Sequence, residues 1–317
     1  MNYEPKPKFI ERIKALLENE EDVNEFFECC KTKPSKSIRV NTLKISPEEL
    51  KSRLIEKGWK IKQIENHPEI IQIISELQPG ELGKTKEHIL GYYYSQEITS
   101  MMPIIALQPQ IDDTILDLCA SPGSKTTQLA AKMNNQGTII ANDLSMSRIS
   151  ILSANLERMG ITNTIVTRHN GVELCEKLKK LNFQFDKILA DVPCSGEGNI
   201  RLSPRTFLEW SEGLLKSLSS KQKKLAESAF ELLKPNGIMV YSTCTHSPEE
   251  NELVIQHLLD KFQDEIEILD FNLPIKTRNG ITSWKNQELN KNIAKAKRIY
   301  HHDNNMEGFF VCKMRKK

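Results

Sequence analysis

The sequence contains no apolar run long enough to span a bilayer, which takes about 20 consecutive apolar residues. Its opening, Met1 to Lys14, lacks the apolar core of a secretory signal. The 7 cysteines are an odd number without Cys-x-x-Cys spacing, and Cys29 and Cys30 are adjacent. That argues against a disulfide framework and against a structural zinc site. The expectation is a cytoplasmic protein with reduced thiols, no membrane association and no metal. An excess of one charge is also missing: 44 Lys and Arg against 42 Asp and Glu leave +2. Composition alone therefore does not announce a nucleic-acid binder. No Gly-x-Gly-x-x-Gly occurs, which leaves a dinucleotide site poorly supported. There is no internal repeat and no low-complexity segment. What remains is an ordinary globular composition, 38% hydrophobic and 27% charged, over 317 residues, enough for two domains.

The organising stretch is Ile115 to Thr127, Ile-Leu-Asp-Leu-Cys-Ala-Ser-Pro-Gly-Ser-Lys-Thr-Thr. Thr114 to Leu118 reads as a buried strand, Pro122-Gly123 as a tight turn, and Thr126 to Met133 as a helix of good formers. Such a turn aims backbone N–H groups at a ligand and lets it approach closely. Gly123-Ser124-Lys125-Thr126 echoes a phosphate-binding loop, but Ser124 stands where its second Gly belongs. A second strand, Thr138 to Asn142, ends in Asp143, at the roughly 20-residue separation where an acid grips ribose hydroxyls. A ribose-bearing cofactor without a polyphosphate fits, and S-adenosylmethionine answers that description.

Along the chain, Lys6 to Glu18 and Glu21 to Cys30 have helical spacing, and Ser37 to Leu43 alternates as a strand with Arg39 and Asn41 on its outer face. Ser46-Pro47-Glu48-Glu49 starts a helix that Gly58 stops, and Trp59 to Ile64 is another strand. This suggests a small α+β module over residues 1–100, and the basic cluster Lys31, Lys33, Lys36 and Arg39 could engage phosphates. Lys291, Lys295, Lys297, Arg298 and the ending Lys313-Met-Arg315-Lys316-Lys317 form similar clusters. Tyr92, Tyr93 and Tyr94 could stack on bases or pack a domain junction. From about residue 101 to 317, strands alternate with helices: Thr164 to Thr167, closed by Asn170-Gly171, then Lys187 to Ala190, Ser219 to Leu233, Ile238 to Ser242, Glu249 to Phe262 and Phe309 to Lys313. The expected fold class is α/β, a mainly parallel sheet covered on both faces.

Ligands in such sheets lie outside the carboxyl ends of the strands. There the sequence sets Asp117 and Cys119, Asp143, Asn170, Asp191-Val-Pro193-Cys194-Ser-Gly196 and Ser242-Thr-Cys244-Thr. A lone Cys is usually a small buried hydrophobe. Two at the tips of neighbouring strands, one in a Pro-Cys-Ser-Gly turn, point to thiol chemistry.

These motifs, with Arg39-Val-Asn-Thr-Leu-Lys44, Gln96-Glu-Ile-Thr-Ser-Met101 and Gly308-Phe-Phe-Val311, resemble the signatures of the Nol/Nop/Sun family of RNA cytosine-5 methyltransferases. The resemblance covers the chain from about residue 35. It implies a class I S-adenosylmethionine-dependent, Rossmann-like methyltransferase domain behind an N-terminal RNA-binding module. It carries cofactor contacts over to Cys119, Ala120, Ser121, Pro122, Gly123, Ser124, Lys125, Asp143, Arg148 and Asp191, with Asn170 where the family usually has Asp beside the adenine. It makes Cys244 the nucleophile and Cys194 the thiol that assists product release, with Asp191 and Lys125 on the cytosine edge. It gives His246 no role, and His246 reads as a loop residue. Pro-Gly-Ser-Lys, and the absence of a long extra domain for ribosome docking, favour tRNA over rRNA as substrate. Two alternatives stand beside this reading. A DNA cytosine-5 methyltransferase uses the Pro-Cys thiol as nucleophile and needs no second Cys. A non-catalytic RNA-binding assembly factor would not be expected to keep Cys194, Cys244, Asp191 and Lys125 together.

Overall fold

A computed structural model describes residues 4–317. The chain enters through two helices, α1 (Pro7–Leu16) and α2 (Glu20–Cys30). Asn19 caps α2 by accepting from the Asp22 N–H. Their apolar stripe, including Phe9, Ile13, Val23 and Phe26, packs on Ile200, Phe207, Trp210, Leu215 and Tyr300, far along the chain.

A small antiparallel sheet follows, built from β1 (Ser37–Val40), β2 (Ile61–Ile64), β3 (His67–Ile73) and β4 (Tyr93–Ser95) in the order β2-β3-β1-β4. Helix α3 (Pro47–Glu56) covers one face, and single turns α4 (Glu81–Lys84) and α5 (Lys86–Ile89) lead into β4. Helix α3 starts as its sequence dictates: Ser46 Oγ accepts from the Glu49 N–H, with Pro47 at the first helical position. Strand β3 was not anticipated, because Ile70, Ile71 and Ile73 are all buried and give no alternating pattern. Arg39, expected on a solvent face, is only 2% exposed. Tyr93 is buried in the core of the small sheet, and Tyr94, buried as well, lines a cavity beside the β5–α7 turn, Ala120 to Gly123.

Helix α6 (Ile98–Leu107) opens the larger unit. It is followed by β5 (Thr114–Asp117), α7 (Ser124–Lys132), β6 (Thr138–Asp143), α8 (Met146–Met159), β7 (Thr164–Arg168), α9 (Gly171–Lys180), β8 (Phe185–Asp191), α10 (Thr206–Glu209), α11 (Glu212–Glu231), β9 (Leu233–Thr243) and α12 (Glu252–Phe262). The remainder supplies β10 (Ile266–Ile268), β11 (Arg278–Asn279), the hairpin β12 (Ser283–Trp284) and β13 (Gln287–Glu288), β14 (Lys297–Ile299), α13 (His301–Asn304) and β15 (Phe309–Lys316). Among the described residues these strands, the β12–β13 hairpin apart, make a 9-stranded sheet in the order β11-β14-β15-β9-β8-β5-β6-β7, with β10 on β15. Strands β5 to β9 pair in parallel and β15 runs antiparallel to β9. Helices α6, α7 and α8 cover one face, and α9, α11 and α12 the other. Burial on both faces explains why β5 and β8 read as apolar runs rather than alternating ones.

Helix α9 was not anticipated, and Asn170-Gly171, expected to close β7, opens it. Asn170 is in fact its N-cap, accepting from the Val172 N–H, and Leu174 and Cys175 face the core. The chain order reverses direction at β5, which pairs with β6 on one side and β8 on the other. The crevice beyond the carboxyl ends of these strands is where an open α/β sheet places a ligand.

Candidate functional site

The turn between β5 and α7 forms one wall. Gly123 has φ +101°, a backbone angle that favours glycine, and a Cβ there would lie 2.9 Å from Leu152 Cδ1, which would have to shift. The turn delivers the first N–H groups of α7 and the Lys125 side chain. Lys125 is buried, its Nζ 2.7 Å from Asp191 Oδ2 and donating to Ser100 Oγ at 2.9 Å. The ammonium also sits over the Phe309 ring, 5.3 Å from its centroid. Asp191 ends β8 and accepts through its other oxygen from Ser242 Oγ at 2.7 Å. The parallel register that sets Asp191 against Ser242 therefore also fixes the carboxylate.

Two cavities meet at Cys119. One, about 390 Å³, is lined by Ala120, Ser121, Pro122, Ser124, Lys125, Asp191, Cys244, Asn199, Glu97 and Phe309. The other, about 430 Å³, is lined by Asp143, Leu144, Arg148, Asn170, Val172, Leu118 and Leu225. Cys119 borders both. In the second cavity Asp143 is 4% exposed. Its Oδ1 accepts from the Ser145 N–H at 3.0 Å and its Oδ2 lies 3.3 Å from Arg148. Arg148 donates in turn to the Ser121 carbonyl at 2.7 Å. Asn170 lines this cavity, but its carbonyl oxygen is taken up in capping α9; its amide N–H groups are what it offers to a ligand.

The two cysteines converge as their strands do. Cys194 Sγ and Cys244 Sγ are 3.1 Å apart. Cys194 lies beside Cys244 and not in the lining of either cavity. The loops that carry them are tied together. Ser195 Oγ and Thr245 Oγ1 are 2.8 Å apart, and the Ser195 N–H donates to Glu250 Oε2 at 2.9 Å. The Gly198 N–H donates to the Cys244 carbonyl at 2.8 Å, and the Gly308 N–H to the Gly198 carbonyl at 2.9 Å. A Cβ on Gly198 would meet the Gly308 carbonyl oxygen at 2.1 Å, so only glycine fits where the three segments cross.

Charge and burial set the protonation states. The Cys194 thiol is pushed well above its ordinary value, first by its hydrogen bond to Cys244 and then by burial. Burial likewise raises Cys119. Burial pushes Asp117 up to about 7, even though Thr126 Oγ1 donates to it at 2.7 Å. Burial lifts Glu250 to about 7 as well. His246 is 1% exposed and stacked on Tyr300, with ring centroids 4.9 Å apart. Burial lowers its pKa well below the ordinary value, and it is a packing residue of the loop behind the thiols that lines neither cavity.

Ser100 and Asn199 also belong to the site and were not among the residues expected there. The signal for both was positional: Ser100 lies inside Gln96 to Met101, and Asn199 five residues beyond Cys194. The basic clusters divide. Arg39 is not on the surface. It donates to the Ser124 carbonyl at 2.6 Å and to Thr127 Oγ1 at 2.8 Å, joining β1 to the turn that carries Lys125. Arg298 is paired with Glu252 at 2.5 Å, Lys297 with Asp270 at 3.0 Å and Arg315 with Glu267 at 2.6 Å. Lys313 is buried. Of these, the fully buried Arg298–Glu252 pair belongs to the core, and the Lys297 and Arg315 pairs lie nearer the surface. Lys33 and Lys36 are exposed and make no salt bridge among the described residues. Among the described residues no helix is long and apolar enough to cross a membrane, and no three metal-binding side chains converge.

This geometry has counterparts. Residues 104–315 match the family model described as 16S rRNA methyltransferase RsmB/F, and residues 6–98 match the N-terminal domain of 16S rRNA methyltransferase RsmF. The ribosomal RNA small subunit methyltransferase F of Vibrio campbellii is 39% identical over 310 residues, covering 97% of this chain and 62% of the relative. That of Psychromonas ingrahamii is 39% identical over 312 residues, again 97% and 62%. The chain thus spans about three-fifths of the length of these curated relatives. A solved methyltransferase homologue from Pyrococcus horikoshii superposes with a TM-score of 0.81 at 33% identity, covering 98% of this chain and 100% of that one. NSun6 from Pyrococcus horikoshii, solved with SFG, an S-adenosylmethionine analogue, gives 0.81 at 25% identity over 98% of each chain. By its family-model match, its motifs and its class I methyltransferase fold, this chain belongs to the RsmB/F methyltransferases of the Nol/Nop/Sun family.

Proposed function

We propose that the chain is an S-adenosylmethionine-dependent RNA cytosine-5 methyltransferase that works through a covalent cysteine adduct. The observation that carries this is the pair of thiols 3.1 Å apart, one of them lining a cavity with the Lys125–Asp191 ion pair. That cavity joins, at Cys119, a second one walled by apolar side chains and the Asp143 carboxylate. The second cavity suits an adenosine group: Asp143 would accept from ribose hydroxyls, with Leu144, Val172 and Leu225 around the base. When bound there, S-adenosylmethionine supplies an electrophilic methyl group.

Cytosine C5 is too weak a nucleophile by itself. Addition of the Cys244 thiolate to C6 makes the ring an enamine and raises electron density at C5. Asp191 and Lys125 hold the cytosine edge and balance the developing charge. After methylation solvent takes the C5 proton, the C5–H electron pair re-forms the C5–C6 double bond, and the Cys244–C6 bond breaks to release the thiolate. Cys194, held protonated beside Cys244, assists that release. The base must be unpaired or flipped to enter.

Small-subunit rRNA is the substrate class proposed, in place of the tRNA expected from Pro-Gly-Ser-Lys, because the matched models and curated relatives carry rRNA names. A cytoplasmic site of action fits an RNA substrate and thiols that must stay reduced. The division into residues 1–100 for RNA binding and 101–317 for catalysis remains our proposal, supported by the exposed Lys33 and Lys36 beside the small sheet.

The test is methyl transfer from labelled S-adenosylmethionine into small ribosomal subunits, free rRNA and tRNA, with bisulfite sequencing of the product. Cys244→Ala should be inactive and form no adduct. Cys194→Ala should methylate, release slowly, and leave an RNA adduct that survives denaturing electrophoresis. Adduct formation by Cys244→Ala but not by Cys194→Ala would reverse the two roles and favour the DNA-type mechanism. No transfer to any RNA would favour a non-catalytic binding factor.

A further inference from the structure

The Cys244 sulfur has a second polar neighbour. Asn199 Nδ2 lies 3.2 Å from it and donates toward it. Asn199 ends a 3-10 turn, Glu197–Asn199, that the protein holds firmly. The Gly198 N–H inside the turn donates to the Cys244 carbonyl at 2.8 Å, and the Gly198 carbonyl accepts from the Gly308 N–H at 2.9 Å. Glu197, at the head of the turn, accepts from Trp210 Nε1 at 2.7 Å and from the His246 N–H at 3.1 Å. The Asn199 carbonyl accepts from the Ser203 N–H at 2.8 Å and the Leu202 N–H at 3.1 Å. Both the nucleophilic sulfur and the amide that faces it are thus fixed by the same backbone crossing. Asn199 and Cys244 also line the same cavity, so the contact sits where a base would enter.

Two thiols 3.1 Å apart pose a selection problem, because a thiolate repels a second thiolate and only one can ionise readily. A neutral N–H donor favours the anion it touches and is indifferent to the thiol. Cys194 lacks this donor; the Gly196 N–H that favours its anion is outweighed by its hydrogen bond to Cys244 and by burial. We propose that Asn199 is a catalytic residue of the reaction proposed above: its amide N–H stabilises the Cys244 thiolate and so decides which of the paired cysteines becomes the nucleophile. The inference rests on that functional reading, but its chemistry can be read without RNA.

Other ionisable groups surround the sulfur. Lys125, Asp191, Asp117, Glu97 and Cys119 share its cavity; Cys194, Glu197, Glu250 and His246 come from the loops packed behind it. These remain in place in an Asn199 variant, so a change in thiol titration reports the amide.

The experiment is site-resolved alkylation of the full chain by iodoacetamide between pH 5 and 10, quantified by mass spectrometry separately for Cys194 and Cys244. Loss of a hydrogen bond to a charged group corresponds to roughly a tenfold change in ionisation. In Asn199→Ala the Cys244 rate at neutral pH should fall about tenfold and recover at high pH, where the thiol ionises without help. Asn199→Asp keeps the shape but replaces the donor by an anion, and should slow Cys244 further than Ala does. A packing role predicts the opposite ranking, since Asp preserves the volume that Ala removes. Profiles of Cys244 unchanged in both variants, an Asp variant closer to wild type than Ala, or a shift confined to Cys194 would each overturn the proposal. Loss of RNA methylation by the unaltered protein would refute the functional reading and leave this titration to be judged on its own.

Discussion

Replacing Asp143 by Ala is expected to weaken S-adenosylmethionine binding by roughly ten- to a hundredfold. The carboxylate is 4% exposed at the carboxyl end of β6 and faces the 430 Å³ cavity. It has two local partners, the Ser145 N–H at 3.0 Å and Arg148 at 3.3 Å. Neither fills its accepting capacity, because an ionised carboxylate offers about four lone-pair sites. Hydrogen bonds to a charged group contribute about 1.5–3 kcal/mol each, which is the stated range in affinity. Arg148 should not add much to the loss: its side chain is 49% exposed and it keeps its bond to the Ser121 carbonyl. Asp143→Asn keeps one acceptor oxygen without the charge, and neutral hydrogen bonds are roughly half as strong. Its affinity should fall between wild type and Ala. Calorimetric titration of the full chain with S-adenosylmethionine, without RNA, reads the effect directly, and thermal unfolding of each variant checks that it is folded. Wild-type affinity in both variants would refute the assignment of Asp143 to the ribose hydroxyls.

Two further outcomes follow from surface and buried charge. Reversing Lys33 and Lys36 to Glu should weaken RNA binding and flatten its salt dependence while leaving cofactor affinity unchanged; a salt slope equal to wild type would mean the phosphate contacts lie elsewhere. Arg39 is excluded from that set because it is buried against the turn that carries Lys125. At the other junction, burial would push Glu249 up, but its hydrogen bonds from Arg12, at 2.5 and 3.0 Å, outweigh burial and hold the carboxyl at about 2. Its folded value lies below the unfolded one, so its stabilising contribution is present above about pH 4.3 and is lost as pH falls toward 2. Glu249→Gln should flatten the loss of thermal stability over that window; a slope equal to wild type would show that the pair does not anchor α1.

Much of the chemistry was legible in the chain because it sits in short contiguous motifs. The turn at Pro122-Gly123, the acid Asp143, and Cys194 and Cys244 each announced themselves by residue type and by position after an apolar run. Such signals are local: a strand's end, a glycine that alone tolerates the backbone angle, a Ser-Pro-Glu-Glu helix start. The periodicity of the α/β unit was readable for the same reason. Where burial is complete the pattern disappears, and β3 and α9 were missed, one because both of its faces are covered and the other because its capping Asn170 looked like the end of a strand.

The sequence by itself thus determined the fold class, the glycine turn between β5 and α7, and the residue types gathered at the strand ends. Only the tertiary structure decided which of those residues meet. It is the parallel pairing of β8 with β9 that brings Cys194 to Cys244 across 50 residues of chain. The crossing of Gly198 with Gly308 presents Asn199 to the sulfur, and nothing in the local sequence encodes that contact. The same holds for Arg39, whose charge pointed to solvent and RNA until packing placed it under the Lys125 turn. A charge in sequence specifies only that a partner is needed. Whether that partner is water, a phosphate or a buried carbonyl depends on which surfaces the fold brings together.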